Sequence, residues 1–169
     1  MTVTAFNFSV RLIETAKPAS AVIQTVGPAL PNGFSECVGL DATMQIEEYR
    51  EGGRNDAVLK FPGHISHSTI KLRRGIDRTA ELWRWHEGFM RGAGKRRDGI
   101  VELLDDSGSV VRTWRFKRGL PVRWAGPTLI AGQSTVAVEE LEISHEGLFV
   151  TTGGAVAELA GAIASIVGG

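Results

Sequence analysis

The sequence predicts a mainly β fold: an antiparallel β-sandwich or partly open β-barrel with one flanking α-helix. Apolar and polar residues alternate in several stretches, and this period of two is typical of half-buried strands. Only the stretch after Asp77 places apolar residues at helical spacing. Turn-forming residues such as Asp105–Gly108 separate the alternating stretches, and the whole pattern predicts about seven strands.

The N-terminal half contains the clearest alternation. Phe6–Leu12 and Ala42–Tyr49 are predicted strands, and Ala21–Val26 is compatible with a short strand between prolines. Glycine and asparagine make Glu51–Asp56 a predicted loop. The pair Pro62-Gly63 is predicted to end the segment that follows this loop.

A further strand and the helix come next. Ile70 and Leu72 face one side of the strand, and basic residues alternate with them on the other side. Asp77 is the predicted N-cap of the helix, where its carboxylate also suits the positive end of the helix dipole. Gly92 and Gly94 are predicted to end the helix. The residues predicted to pack its apolar face are Leu82, Trp85 and Phe89.

The C-terminal half predicts a β-hairpin and a corner. Ile100–Leu104 forms the first strand, Asp105–Gly108 the turn, and the stretch from Val110 to Lys117 the return strand. Proline and glycine residues around Trp124 predict a corner of the chain.

The last long predicted strand, Thr135–Ser144, is irregular. Its apolar positions change parity along the strand, from even at Val136 and Val138 to odd at Leu141 and Ile143. Either a bulge near Glu139-Glu140 flips the strand, or different faces are covered along its length.

Length and composition favour one ordinary globular domain. The chain has 169 residues, of which 43% are hydrophobic and 22% are charged, and this length suffices for a sizeable core. The formal net charge of zero argues against a dedicated nucleic-acid binder, which usually carries a basic excess. Acidic residues concentrate between Glu36 and Glu51 and basic residues between Lys71 and Arg97. These are either complementary docking patches between copies or two solvated faces.

The termini and the single cysteine bear on localisation. Cys37 has no second cysteine with which to form an intrachain disulfide, and the first residues lack the pattern of a signal peptide. The apolar stretch Ala155–Val167 is shorter than a membrane span and contains Glu158. We therefore expect a chain that is made and assembled in the cytoplasm without membrane insertion. Residues 1–149 are expected to form the domain, and residues 150–169 an Ala/Gly-rich extension that is flexible or a short helix.

No motif for catalysis, metal binding or cofactor binding stands out. His64 and His67, three apart in a strand, point to opposite faces and lack further ligands at zinc-site spacing. The acidic run Glu139-Glu140-Glu142 is read as a solvated or interface face rather than a glycosidase pair. Cys37 with a distant histidine is not a nucleophile signature, and Gly92–Lys95 closes a helix instead of opening one onto a phosphate. The expectation is a non-enzymatic protein with no metal and no cofactor.

Several segments, taken together and in order, are similar to one known family. They are Gly33-Phe34-Ser35-Glu36, Gly39-Leu40, Glu47-Glu48-Tyr49-Arg50-Glu51-Gly52-Gly53 with Asn55, Leu72-Arg73-Arg74-Gly75, Leu82-Trp83-Arg84-Trp85, Arg96-Arg97-Asp98-Gly99-Ile100, Trp124-Ala125-Gly126-Pro127, Val138-Glu139-Glu140-Leu141-Glu142-Ile143 and His145-Glu146-Gly147-Leu148. Over about residues 5 to 149 the chain resembles the tail tube proteins of contractile phages and phage-derived contractile injection systems.

The resemblance implies an assembly made of many copies. Six subunits form a ring whose inner strands line a lumen, and rings stack into a rigid inner tube that carries protein cargo or phage DNA. The implied partners are further copies of the chain, the contractile sheath protein, and baseplate, spike and tube-cap proteins, in a virion or a released phage tail-like particle. The implied inter-subunit contact residues are Glu48, Tyr49, Arg50, Glu51, Gly52, Gly53, Arg54 and Asn55.

Two other functions are weighed against the tube subunit. A tube cap or a tube-initiating baseplate ring is a non-polymerising adaptor on the same fold, although such adaptors usually carry extra domains. An unrelated β-barrel hydrolase needs a catalytic cluster, and the sequence offers none. The tube subunit is therefore the preferred hypothesis.

Overall fold

The computed structural model describes residues 7–14, 33–50, 52–53 and 58–152, and these ranges form nine strands and one helix. The strands are Phe8–Glu14 (β1), Phe34–Val38 (β2), Ala42–Tyr49 (β3), Leu59–His67 (β4), Ile70–Gly75 (β5), Arg97–Leu104 (β6), Val110–Ala125 (β7), Val138–Ser144 (β8) and Gly147–Thr152 (β9). The helix α1 spans Glu81–Met90. The predicted mainly β fold with one flanking helix is confirmed, although the strands are more numerous than predicted.

The large sheet is antiparallel and folds over into two layers. Its strand order is β1-β6-β7-β8-β5-β2, and β9 pairs with β7 outside that path. The 16-residue β7 belongs to both layers, because its first part pairs with β6 and β9 and its last part with β8. Between these parts Arg118 adopts a left-handed backbone with φ 53°. Within the described residues the sheet stays open rather than closing into a barrel.

The core lies between the two layers and α1. The main buried cluster comes from β5, α1, β7 and β8, and each of its side chains is 4% exposed or less: Ile70, Leu72, Leu82, Trp85, Phe116, Leu141 and Ile143. The predicted inward face of Ile70 and Leu72 is thus confirmed, with Lys71 and Arg73 exposed between them. Burial of these side chains is the main stabilising contribution, about 1.5–3 kcal/mol each.

The prediction that Pro62-Gly63 ends its strand is wrong. β4 continues through both residues, and its pairing with β3 shifts register between Met44 and Ile46. Proline lacks a backbone donor, and a register irregularity on an exposed hairpin is a place where a strand tolerates it.

The helix begins later than predicted. Its first residue is Glu81, and its N-cap residue Ala80 has a left-handed φ of 49° without a side-chain cap. Asp77 instead caps the preceding turn, where its Oδ1 accepts hydrogen bonds from the N–H groups of Thr79 (3.0 Å) and Ala80 (3.1 Å). Asp77 is therefore a turn residue, which is another common role of aspartate. The helix ends at Met90, and Gly92 follows with φ 75°.

The irregular last strand does not flip. β8 starts at Val138, and its buried positions are all odd, with continuous pairing to β5. The first of these buried odd-numbered positions is Glu139. Because this residue is charged, the alternation of apolar and polar residues in β8 is not apparent from the sequence. The register shift lies in β7 instead, between Pro121 and Arg123.

Some predicted elements lie outside the described residues. These are the short strand Ala21–Val26, most of the loop Glu51–Asp56 and the extension beyond Thr152. β9 itself crosses position 149, the predicted end of the domain.

Candidate assembly interface

The hairpin formed by β3 and β4 is the most exposed element of the described structure. It forms its own two-stranded sheet and pairs with no strand of the large sheet. Every residue of β3 is exposed, and so are most residues of β4. A two-stranded hairpin is marginally stable alone in water, so this one needs support from elsewhere.

Both faces of the hairpin carry large apolar side chains. On one face Met44 is opposite Ile65, and their exposed fractions are 53% and 60%. On the other face Tyr49 is opposite Leu59, with Phe61 nearby in β4; these three are 59%, 41% and 50% exposed. Ordinary monomers rarely leave contiguous apolar surface of this kind in water. The hairpin therefore has the composition of a contact surface on two sides.

The end of this hairpin contains the segment Glu48–Asn55, for which inter-subunit contact is expected. The structure places Glu48, Tyr49 and Arg50 on exposed positions, and Gly52 and Gly53 in a turn. Gly53 has φ 106°, a conformation that favours glycine. Glu51, Arg54 and Asn55 lie outside the described residues, so their contact role stays a prediction.

The base of the hairpin is fixed to the domain. Ser68 Oγ donates a hydrogen bond to Asp41 Oδ1 at 2.5 Å across the two connections. Gly39, with φ 93°, lies so close to the carbonyl of Thr69 that a Cβ would collide with it. The hairpin is thus held at its base and projects its exposed strands from the end of the sheet where β5 begins.

Two histidines pack where the hairpin joins the domain. The rings of His67 and His145 have centroids 5.2 Å apart, and His145 also contacts Phe116. Burial, and then the neighbouring His67, lower the pKa of His145 below its usual value. His67 Nδ1 and His145 Nε2 are buried without a hydrogen-bond partner.

The helix residues predicted to pack are all on the domain side of α1. Leu82 and Trp85 are buried, and Phe89 packs against the core. Trp85 Nε1 donates to the Lys95 carbonyl at 2.8 Å, and the guanidinium of Arg97 lies 5.0 Å from a Trp85 ring centroid. These contacts fix the helix on the sheet.

A small cavity opens beside the start of α1. Its volume is about 370 Å³, and it is lined by Ile76, Asp77, Ala80, Trp83, Trp124 and Glu139. The rings of Trp83 and Trp124 meet edge to face at 4.9 Å. Trp124 Nε1 donates to Glu139 Oε2 at 2.9 Å, and Arg74 Nε donates to Glu139 Oε1 at 2.8 Å. The expectation that Glu139 lies on a solvated or interface face is wrong, because it is only 3% exposed.

The outer face of the β7–β8–β5–β2 layer is polar and its charges pair with one another. Arg123 contacts Glu140 at 3.1 Å and Glu142 at 3.0 Å, and Lys71 also contacts Glu142, at 3.4 Å. Desolvation alone would raise the pKa of Glu142, but hydrogen bonds from Arg123 and Lys71 outweigh it and lower the pKa. Arg73 and Glu36 pair on the same face at 3.4 Å. This face is suited to contact with water.

The two lateral edges of this layer are β2 and the last part of β7. Among the described strands β2 ends the strand order, and residues 120–125 of β7 pair with β8 on one side only. Open strand edges are templates for pairing with another chain.

The described residues show no arrangement typical of an active site. They contain no group of three or more metal-ligating side chains. Burial raises the pKa of the Cys37 thiol to about 11, so the thiol stays protonated and unreactive near neutral pH. Within the same ranges no helix is long and apolar enough to cross a membrane.

A family model described as "T4-like virus tail tube protein gp19" matches residues 4–149. The chain belongs to this tail tube family. The resemblance found in the sequence is therefore confirmed. A search of curated proteins finds no match.

Solved structures of contractile injection systems share the fold. A chain from the baseplate of the anti-feeding prophage is 23% identical, with a TM-score of 0.74 over 90% of this chain and 97% of that one. A chain from an extended sheath–tube complex of the PVC extracellular contractile injection system is 22% identical, with a TM-score of 0.71 over 89% and 92%. A chain from the anti-feeding prophage tube-terminating cap is 20% identical, with a TM-score of 0.72 over 90% and 92%.

Proposed function

We propose that this tail tube protein forms six-membered rings that stack into the inner tube of a contractile injection system or contractile phage tail. The observation that carries the proposal is the β3–β4 hairpin, whose apolar side chains are exposed on both faces. Within one subunit nothing covers them among the described residues. A neighbouring copy would bury them and stabilise the hairpin.

The open edges of the β7–β8–β5–β2 layer support closure into a ring. Pairing of β2 of one copy with the last part of β7 of the next is a heterologous contact, and such contacts generate rings when the rotation closes. It would also remove both edges from solvent. The strands of this layer would then run from one rim of the ring to the other.

The polar face of the same layer is the best candidate for the lumen. A water-filled channel needs a hydrated lining, and the paired charges of Lys71, Arg123, Glu140 and Glu142 provide one. Because these charges balance, the lining would bind passing protein or DNA only weakly. We extend the proposal to the sheath, baseplate, spike and cap as partners, because the structural neighbours come from such complexes. Assembly would take place in the cytoplasm, and the role is structural rather than enzymatic.

A second candidate is a cap or baseplate ring that does not polymerise. It is favoured by the similarity to chains in cap and baseplate structures. Negative-stain electron microscopy with sedimentation velocity of the purified chain distinguishes the two. Stacked tubes support the tube subunit, whereas single rings that do not stack at any concentration support the cap or baseplate ring.

A matched pair of variants tests the hairpin itself. Met44→Thr combined with Ile65→Thr removes apolar surface from one hairpin face, and Val150→Thr removes a similarly exposed apolar side chain from β9. The hairpin variant should remain folded and lose assembly, and Val150→Thr should assemble normally. Normal tubes from the hairpin variant would contradict the proposed contact.

A further inference from the structure

Two histidine rings meet where the β3–β4 hairpin joins the domain. His67 is the last residue of β4, and His145 follows the last residue of β8. The pairing of Ile70 with Ile143 brings the adjoining ends of β5 and β8 together, and the two imidazole rings lie with their centroids 5.2 Å apart. The histidine pair therefore links the hairpin to the large sheet.

The orientation of the hairpin depends on the contacts at its base, because it pairs with no described strand of the large sheet. One of these contacts is the hydrogen bond from Ser68 to Asp41, which is exposed to water. Water competes with an exposed hydrogen bond, so its net contribution is modest. The histidine pair adds a contact whose facing ring nitrogens are buried.

The pair is built for neutral rings. His145 Nδ1 lies 3.1 Å from the Gly147 carbonyl oxygen. Because a carbonyl only accepts, Nδ1 carries the proton of the neutral ring. His145 Nε2 is then the bare nitrogen, and in the described part of the chain both it and His67 Nδ1 are buried without a hydrogen-bond partner. A proton added at Nε2 would be a buried donor without an acceptor, which is costly.

The groups that face His145 also disfavour its charged form. His67 faces it from the hairpin, and the ring of Phe116 packs on it from β7 with centroids 5.7 Å apart. Burial, and then His67, lower the pKa of His145, and the charge of Asp41 opposes this shift without overcoming it.

Other charged side chains near the turn between β8 and β9 have partners of their own. Glu146 contacts Arg96 at 3.1 Å and Arg118 at 2.7 Å. The ammonium of Lys117 lies 4.8 Å from the Phe149 ring centroid. These charges are therefore already compensated or directed elsewhere, and Asp41 is the acid that acts on the pair.

We propose that His67 and His145 form an acid-sensitive latch, which fixes the hairpin on the domain while both rings are neutral and releases it when His145 takes up a proton. Release brings His145 into water, where its pKa returns to about 6.5. The released state then binds the proton more readily than the latched state. Below this pKa, acid should shift the equilibrium towards release by up to about tenfold per pH unit for one proton.

The latch would regulate the surface that carries the proposed function. Because the hairpin is proposed to join copies of the chain, its release should favour unassembled subunits in mild acid. This consequence rests on the proposed tube function. The latch itself belongs to a single subunit, so the two can be tested separately.

Amide hydrogen exchange of the unassembled subunit at about pH 7.5 and about pH 5.5 tests the latch. After correction for intrinsic exchange rates, protection of β3 and β4 should fall at least about fivefold at the lower pH, because a released hairpin is marginally stable. Protection of β5 and β8 should stay within about twofold. His145→Gln should lose the fall in hairpin protection. The control His64→Gln, at an exposed position on β4, should keep it.

Nuclear magnetic resonance titration of the original chain supplies a second test without substitutions, and it decides the matter if His145→Gln already releases the hairpin at neutral pH. The imidazole signals of His145 and the amide signals of the hairpin should change with one shared midpoint, below the ordinary pKa of histidine. Separate midpoints would overturn the latch.

Two exchange results would also overturn the latch: equal hairpin protection at both pH values, and a fall that β5 and β8 share equally. Rings and tubes that form at pH 7.5 while either result holds would leave the tube function standing. Conversely, failure of the chain to form rings or tubes would overturn the tube function, whereas the latch would still be supported by a selective fall in the single subunit.

Discussion

Arg74 Nε lies 2.8 Å from Glu139 Oε1, and the two side chains are only 5% and 4% exposed. This pair links β5 to the start of β8 and closes the floor of the cavity. Glu139 takes a second hydrogen bond from Trp124, and the guanidinium of Arg74 also lies 5.6 Å from the Phe34 ring centroid. A buried charge without its partner is costly, so the two residues depend on each other.

Removing one member of the pair should therefore destabilise the subunit strongly. Arg74→Ala removes the cation that the described residues place beside buried Glu139, leaves that carboxylate uncompensated, and should lower the free energy of unfolding by about 3–5 kcal/mol. Arg123→Ala breaks exposed ion pairs and should cost less than about 1 kcal/mol. Urea unfolding of the unassembled subunit measures both changes. Equal small losses in the two variants would show that the buried pair contributes no more than a surface pair.

The same residue explains where the sequence misleads. The period of two in β8 is intact, but because Glu139 fills an inward position, the apolar residues alone suggest a flip. The inward position of the Glu139 carboxylate becomes evident only from the β5–β8 pairing, which places Arg74 opposite it. The sequence of β8 alone does not show which residue of a distant strand will pair with Glu139. β3, by contrast, is predicted with its observed bounds, because apolar and polar residues alternate from Ala42 to Glu47.

The cavity could not be predicted for a similar reason. Trp83, Trp124 and Glu139 come from α1, β7 and β8, and each alone has an ordinary structural explanation. Their proximity depends on the bend of β7 and its register shift near Pro121. The sequence does indicate an assembly surface at residues 48–55, but through family resemblance rather than through the exposed apolar residues of β3 and β4.

Because Gly99 packs closely against Phe116, we expect an alanine to destabilise the protein at Gly99 but not at Gly75. A Cβ on Gly99 would collide with the ring of fully buried Phe116, whereas a Cβ on Gly75 meets nothing nearby. Gly99→Ala should lower the free energy of unfolding by about 1–3 kcal/mol or more through overpacking, and Gly75→Ala should be close to neutral. Thermal unfolding of both variants checks this. Equal midpoints would contradict the packing of β6 against Phe116.

The pKa of His145 predicts how stability depends on pH. Burial, and then the neighbouring His67, hold this pKa below the usual value of a histidine, while the hydrogen bond with the Gly147 carbonyl and the charge of Asp41 oppose the shift. The unfolded chain then binds more protons than the folded chain at mildly acidic pH. Stability should be full above the unfolded pKa and should fall as pH decreases below it.

Urea unfolding at about pH 7.5 and about pH 5.5 measures this fall in a range where carboxylates contribute little. His145→Gln should lose at least about half of the pH dependence seen in the original chain. His64→Gln, at an exposed position on β4, is the control and should keep it. An unchanged pH dependence in His145→Gln would assign the effect to other groups.

Charge reversal at Arg50 should separate stacking from folding. Arg50 is exposed at the end of β3, so Arg50→Glu should leave the free energy of unfolding within about 0.5 kcal/mol of the original. If Arg50 lies in a contact between copies, as the family resemblance implies, reversing its charge places an acid where a base is expected, and a mismatched charge across an interface weakens it. Arg112→Glu, at an exposed position on β7, is the matched control and should stack normally. Electron microscopy should show single rings for Arg50→Glu and tubes for Arg112→Glu, and normal tubes from both variants would remove Arg50 from the interface.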